Sequence, residues 1–297
     1  MNTPCSTRLV STAAEYAAIA QHWKAQKVAL VPTMGALHEG HAALIRKARE
    51  LADVVVVSIF VNPLQFGPQE DLSRYPRQLE KDMALCDSLG VDVVFHPSVE
   101  VLYPNGMDNL TRVIPPSQLT DGLCGAFRPG HFTGVATVVL KLFNLLRPEL
   151  AVFGEKDAQQ LAVIRQMVAD LHVPVEIVPC PTVRDVDGLA LSSRNAYLQS
   201  AEEKRAALLL IRILREVREA ALQVSEPLPA RETLDSVSQR VIADFRQQEG
   251  AAVRFEVQYL EAVDAQTFAP ATVLKPGVKL LMAAYVNQVR LIDNLDI

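Results

Sequence analysis

Val28-Ala29-Leu30-Val31-Pro32-Thr33-Met34-Gly35-Ala36-Leu37-His38-Glu39-Gly40-His41 runs from a β-branched apolar stretch, through a glycine-containing turn, into a helical pattern. Val28 to Val31 reads as a short buried strand. Residues 41–52 then carry Leu44, Ile45, Ala48, Leu51 and Ala52 on one helical face, with Arg46, Lys47, Arg49 and Glu50 outside it. Val54 to Val61 is apolar almost throughout, broken by Ser58, as suits a strand buried on both faces. A strand, a helix and a second strand at this spacing predict parallel pairing with a crossover helix.

The same alternation continues outward. Residues 78–89 read as a helix, Val91 to Phe95 as a strand, Gly134 to Leu146 as a helix and Leu150 to Phe153 as a strand. Residues 157–171 are helical and Val173 to Val178 is a further strand. The fold class is therefore α/β, a Rossmann-like doubly wound parallel sheet. From about residue 183 the pattern changes. Two mixed-charge helices, about 201–223 and 229–248, precede strand-like runs at 253–263, 278–286 and 288–293. This predicts a smaller α+β domain, with Pro174, Pro179 and Pro181 at the boundary: residues 1–182 and 183–297. The turn-rich segment 62–77 follows a buried strand and is expected to wall the site, since ligands bind outside the carboxyl ends of such strands. A second long irregular region covers about 97–130.

Composition narrows the class. Hydrophobic residues make up 49% of the 297, enough for a substantial core, and the net charge of -5 lacks the basic balance of a dedicated nucleic-acid binder. No apolar run approaches the roughly 18 residues of a membrane span, and no basic start precedes an apolar stretch. The cysteines, Cys5, Cys86, Cys124 and Cys180, form no CxxC pair. The expectation is a cytoplasmic protein with reduced thiols, Cys86 and Cys124 being core residues.

Gly35 and Gly40 have P-loop spacing, but His41-Ala42 stands where Lys and Ser/Thr belong, so a Walker-type NTPase is disfavoured; no GxGxxG is present either. What is present is His38-x-x-His41 at a helix start. The first backbone N–H groups of a helix lack partners and its dipole favours anions, so imidazole donors beside them suit a polyphosphate. Incidental histidines, or a zinc pair, are the alternatives; His22, His96, His131 and His172 are too scattered to name a third ligand.

Two further segments carry similar chemistry. Gly154-Glu155-Lys156-Asp157 follows a buried strand and opens a helix: Gly154 admits a close backbone approach, Lys156 is a mobile charge for phosphate, and Asp157 suits a cap or a ribose hydroxyl. Leu191-Ser192-Ser193-Arg194 offers two hydroxyls and a guanidinium fork for a triphosphate. Gln65 and Gln160 are neutral, two-sided hydrogen-bonders that could equally be ordinary surface glutamines.

His38-Glu39-Gly40-His41 resembles the HxGH signature of the nucleotidylyltransferase superfamily. The wider pattern is similar to the pantothenate synthetase (pantoate–β-alanine ligase) family. It continues through Phe60 to Gly67, Tyr75-Pro76-Arg77, Arg128-Pro129-Gly130-His131-Phe132, Gly154 to Asp157, Gln159-Gln160 and Leu191 to Asn195. The blocks keep their order over about residues 28–198, and Leu191 replaces a common Met. The resemblance implies condensation of pantoate with β-alanine through a pantoyl adenylate. ATP would be consumed, with Mg2+ accompanying it, and no protein metal motif is expected. It implies His41 as proton donor, with His38, Lys156, Ser192, Ser193 and Arg194 beside it on the phosphates. Met34, Gly35, Gly40, Gly154 and Glu155 would meet ATP, as would Asp157, Val183 and Leu191, with the Val183 backbone at the adenine. Gln65 and Gln160 would hold pantoate; Tyr75 and Arg128 lie near the site. A homodimer is implied by the same resemblance; closure of the second domain over the first, to shield the adenylate from water, is an expectation consistent with the linker. A nucleotidyltransferase with a stable adenylylated product, a tRNA synthetase or a nucleotide sensor are the competing readings; the first leaves Gln65 and Gln160 unexplained, and the second lacks a basic anticodon-binding module.

Overall fold

The computed structural model describes residues 6–23, 25–68, 70–249 and 253–297; Cys5 lies outside them. The chain forms β1 (Arg8–Val10), α1 (Ala13–Ala20), β2 (Val28–Thr33), α2 (Glu39–Leu51), β3 (Val54–Ile59), α3 (Leu79–Ser88) and β4 (Val93–Phe95). Three single-turn helices follow, α4 (Val99–Leu102), α5 (Ser117–Thr120) and α6 (Cys124–Phe127), then α7 (His131–Leu146), β5 (Leu150–Gly154), α8 (Ala158–Asp170) and β6 (Glu176–Cys180). The remainder is α9 (Ala201–Ala207), α10 (Leu209–Leu222), β7 (Leu228–Pro229), α11 (Ala230–Glu249), β8 (Phe255–Asp264), β9 (Val273–Leu274), β10 (Val278–Val286) and β11 (Val289–Asp296).

Two compact units result. The first comprises Met1–Thr120, Gly125–Glu155 and Gln160–Thr182; the second comprises Asp121–Cys124, Lys156–Gln159 and Val183–Ile297. This differs from a single cut after residue 182, because two short segments pack with the C-terminal part. Gln159 explains one pairing: its side chain accepts from the Cys124 N–H at 2.9 Å and donates to the Gly122 carbonyl at 2.9 Å.

The first unit is a six-stranded parallel sheet in the order β1-β4-β3-β2-β5-β6. All six residues of β3 are buried, which is what a central strand covered on both faces requires. Its core joins Val31, Ile45, Ala48, Val57, Cys86 and Val152. The strand order reverses between β2 and β5, so the loops leaving those strands open at the topological switch point.

Three boundaries depart from expectation. β6 begins at Glu176, not Val173: α8 ends at Asp170, His172 beyond it adopts the left-handed region (φ 50°), and Pro174 has no N–H for a ladder. Pro179 lies inside β6, tolerated because that strand is an edge. α7 starts at His131, after Gly130 at φ 79°, which brings His131 into its first turn. β1 carries no apolar periodicity of its own, and the sequence pattern does not predict it.

The second unit packs α10 and α11 on an antiparallel sheet ordered β11-β10-β8. Leu210, Ile213, Leu214 and Val217 form the buried stripe of α10. The predicted helix over 201–223 is divided only at Leu208, whose backbone stays right-handed helical.

Candidate functional site

The loop leaving β2 is built around a buried carboxylate. Gly35 (φ 80°) and Ala36 (φ 50°) both adopt the left-handed region. Asp82 on α3 accepts the Ala36 N–H at 2.9 Å and the Leu37 N–H at 2.8 Å. A Cβ on Gly35 would meet Asp82 Oδ2 and Ile59 Cγ2 at 3.0 Å, so both φ and space demand glycine. Asp82 stands on the apolar stripe Leu79, Met83, Cys86 of its helix, a signal that sequence reading passed over.

The two histidines cap α2 reciprocally. His38 is the N-cap, and its Nδ1 accepts the Gly40 N–H at 3.1 Å. His41, in the first turn, returns its Nδ1 to the His38 N–H at 3.2 Å. The ring centroids are 4.2 Å apart. An Nδ1 that accepts carries no proton, so each neutral ring bears its hydrogen on Nε2, on the side away from the backbone it caps. The expected cradle of unpaired backbone N–H groups is therefore corrected. At the helix start the His38 imidazole takes the Gly40 N–H and the His41 imidazole takes the His38 N–H, while Asp82 takes those of Ala36 and Leu37 in the loop before it.

Gln65 is fixed from several sides within the first unit. Its Oε1 accepts from Asn62 Nδ2 at 3.0 Å, and its Nε2 meets Met34 Sδ at 3.3 Å. Tyr103 OH donates to Asn62 Oδ1 at 2.7 Å, which orients the Asn62 amide and hence that of Gln65. The Gln65 carbonyl receives His131 Nδ1 at 2.8 Å and Arg128 at 3.3 Å. Arg128 also donates to His131 Nε2 at 3.0 Å and pairs with Glu70. His131 is thus the opposite tautomer to His38 and His41. Gly134 of α7 lies against this turn: a Cβ there would fall 2.3 Å from the Leu64 carbonyl oxygen and 2.8 Å from the Gln65 nitrogen. Arg128 and His131 support the site's backbone, a role that no spacing rule signals. Tyr75 is buried, its ring edge-on to Phe66. Gly154, Glu155 and Gln160 also belong to the first unit.

The second unit holds Lys156, Asp157, Val183, Leu191, Ser192, Ser193 and Arg194. Burial pushes the Lys156 ammonium pKa down; Asp157 and Asp293 oppose this, while Arg194 and Arg184 add to it. Leu191 donates its N–H to the Val183 carbonyl at 2.9 Å. Ser192 Oγ accepts the Arg194 N–H at 3.3 Å and caps the short helix Ser193–Tyr197. Arg184, Asp293 and Asn294 join this cluster across more than a hundred residues of sequence. Among the described residues no group of three or more His, Cys, Asp or Glu is placed to hold a metal ion, so the zinc alternative for His38 and His41 finds no ligand set.

These features agree with what the chain is similar to. A family model described as pantoate-beta-alanine ligase matches residues 8–296. A bifunctional pantoate ligase/cytidylate kinase from Thermosynechococcus vestitus is 55% identical over 287 residues, covering 97% of this chain and 54% of that protein. The chain spans about half the length of such bifunctional relatives. The crystal structure of a pantothenate synthetase from Thermus thermophilus matches at a TM-score of 0.86 and 46% identity, over 98% of this chain and 99% of that one. A pantoate-beta-alanine ligase from Francisella tularensis, complexed with beta-gamma ATP and beta-alanine, matches at a TM-score of 0.75 and 36% identity, over 98% and 97%. With the HxGH caps, the braced Gln65 turn and near full-length agreement in sequence and fold, the chain belongs to the pantoate–beta-alanine ligase family.

Proposed function

We propose that the chain joins pantoate to β-alanine at the expense of ATP, through a pantoyl adenylate. The observation that carries this reading is the pair of Nε2–H imidazoles capping α2, within a chain of this family. In the first half-reaction a pantoate carboxylate oxygen attacks the α-phosphorus and pyrophosphate leaves. Charge grows on the phosphate oxygens, and preorganised donors stabilise it. We assign that task to His38, His41, Lys156, Ser192, Ser193 and Arg194, with His41 as proton donor. In the second, the β-alanine amine attacks the acyl carbon and AMP leaves. Adenylation is what makes the carboxylate displaceable.

Met34, Gly35, Gly40, Gly154, Glu155, Asp157, Val183 and Leu191 are assigned to ATP. Gln65 and Gln160 are assigned to pantoate; Asn62 donates to the Gln65 Oε1 and Met34 Sδ accepts one Nε2–H, so the second Nε2–H is the group assigned to an acceptor. Magnesium enters with the nucleotide, and the donor set fits this: the residues assigned to the phosphates are cations and hydrogen-bond donors, leaving phosphate oxygens to hold the ion. We also propose the N-terminal Rossmann-like domain as the nucleotide and pantoate binder, the C-terminal domain as carrier of the Leu191–Arg194 loop, and a homodimer. Free Cys86, Cys124 and Cys180, all buried, support a cytoplasmic setting; no described helix is long and apolar enough to cross a membrane.

The test is product analysis from ATP, magnesium and pantoate, with and without β-alanine. AMP and pantothenate only with both acids, and pyrophosphate–ATP exchange with pantoate alone, are expected. Pyrophosphate release without AMP would replace this reading with stable nucleotidyl transfer.

A further inference from the structure

β11 carries two consecutive buried polar residues, Asp293 at 3% and Asn294 at 6% exposure. Successive side chains of a strand point to opposite faces, so burying both is not a by-product of one buried face. A buried carboxylate and amide are costly unless bonded. Their bonds lead to Lys156. Asn294 Nδ2 donates to the Lys156 carbonyl at 2.8 Å, and the Asn294 N–H donates to Asp293 Oδ1 at 2.8 Å. Arg184 grips Asp293 through both terminal nitrogens, at 2.6 and 2.8 Å, and also donates to the Gly188 carbonyl at 3.1 Å and the Asn294 carbonyl at 3.3 Å.

We propose that Asp293 and Asn294 are positioning residues for Lys156: Asn294 fixes the backbone of its turn, and Asp293, aligned by Arg184, draws the ammonium to one place. The inference rests on the reading of Lys156 as a phosphate contact. A phosphate-binding lysine must stay charged while partly desolvated. Burial weighs most heavily against the Lys156 charge; the negative charges of Asp157 and Asp293 favour it, and the positive charges of Arg194 and Arg184 oppose it. Asp157, the larger of the two influences, is exposed, whereas Asp293 is buried and held in place by Arg184.

The first experiment reads Lys156 without turnover. Competitive acetylation of the intact protein across pH, followed by peptide mass spectrometry, reports the free-amine fraction at Lys156. Asp293→Asn removes a negative charge, so the labelling midpoint moves to lower pH. Asn294→Ala releases the turn toward water and moves the midpoint to higher pH. Opposite shifts support positioning; unchanged midpoints, or shifts of one sign, overturn it. Asn294→Ala leaves the Arg184–Asp293 pair intact, so its own shift still decides if Asp293→Asn does not fold. The second experiment is a double-mutant cycle on turnover. Asn294→Ala lowers kcat about 10-fold or more in the native background and adds little on Lys156→Met; additive losses would mean a merely structural role. Undiminished pyrophosphate release in Lys156→Met would remove the phosphate-contact reading, while the labelling midpoints, which need no turnover, still test the positioning.

Discussion

The Nδ1 of His41 accepts the backbone N–H of His38 at 3.2 Å, so the second histidine of the motif stabilises the helix that carries it. Fold and proposed chemistry separate at the two nitrogens of one ring. His41→Ala should lose both, lowering the rate of pyrophosphate release by about 10² or more and stability by about 1 kcal/mol. His41→Asn keeps an acceptor near the Nδ1 position but no donor near Nε2. It should melt close to the native protein yet be as inactive as the alanine variant. An active His41→Asn would remove Nε2 from the mechanism.

Gly134 determines how closely α7 approaches the Gln65 turn. Gly134→Ala should displace that turn, cost about 1–3 kcal/mol in a urea titration, and raise the KM for pantoate more than that for ATP. Equal rises would show that the displaced turn does not serve pantoate.

Adjacent glutamines should behave differently. Gln159 bonds at both ends of its amide to the 122–124 segment. Gln159→Ala therefore leaves the buried Cys124 N–H unpaired and should lower stability by about 1–3 kcal/mol. Gln160→Ala should leave the melt nearly unchanged and weaken pantoate binding. Steady-state kinetics and thermal melts on both variants separate the roles.

Asp82 neutralises no cation in the β2–α2 loop; it collects backbone N–H groups. Asp82→Asn halves its acceptors and points an amide N–H at one of them, so a loss of about 2 kcal/mol or more is expected. Urea unfolding measures it.

Burial, then the charge of Asp82, pushes the Cys86 thiol from its ordinary 9.0 up to about 12. The folded pKa is raised, so this contribution to stability is complete below about 9 and lost as pH rises toward 12. Iodoacetamide should leave Cys86 unmodified in the native protein at about pH 8 and modify it after denaturation. Native labelling at that pH would contradict its burial.

Periodicity made β2, α2 and β3 legible, because a central parallel strand and an amphipathic helix each impose a pattern on neighbouring residues. The HxGH residues were legible because they are contiguous. The residues that hold them were not. Asp82, Tyr103, Arg184, Asp293 and Asn294 act across 41 to 138 positions of sequence, and a pairing at that distance leaves no local spacing. Asp82 left a weaker trace, as a polar residue on the apolar stripe of its helix. The expectation that helix-start N–H groups stay open failed at Gly40 for a local reason: the ring of the N-cap His38, two residues back, accepts that N–H.

The exchange of short segments between the units bears on any attempt to dissect the chain. A fragment beginning at residue 183 would lack Cys124, whose sulfur meets Tyr259 OH at 3.1 Å and Arg290 at 3.3 Å, and would lack the Lys156 carbonyl that Asn294 binds. Its severed complement would carry those same groups stripped of their partners. Split reporters, circular permutants and truncated crystallisation targets would therefore do better with breaks in exposed loops, such as the Val186 tip, than at the residue 182/183 junction.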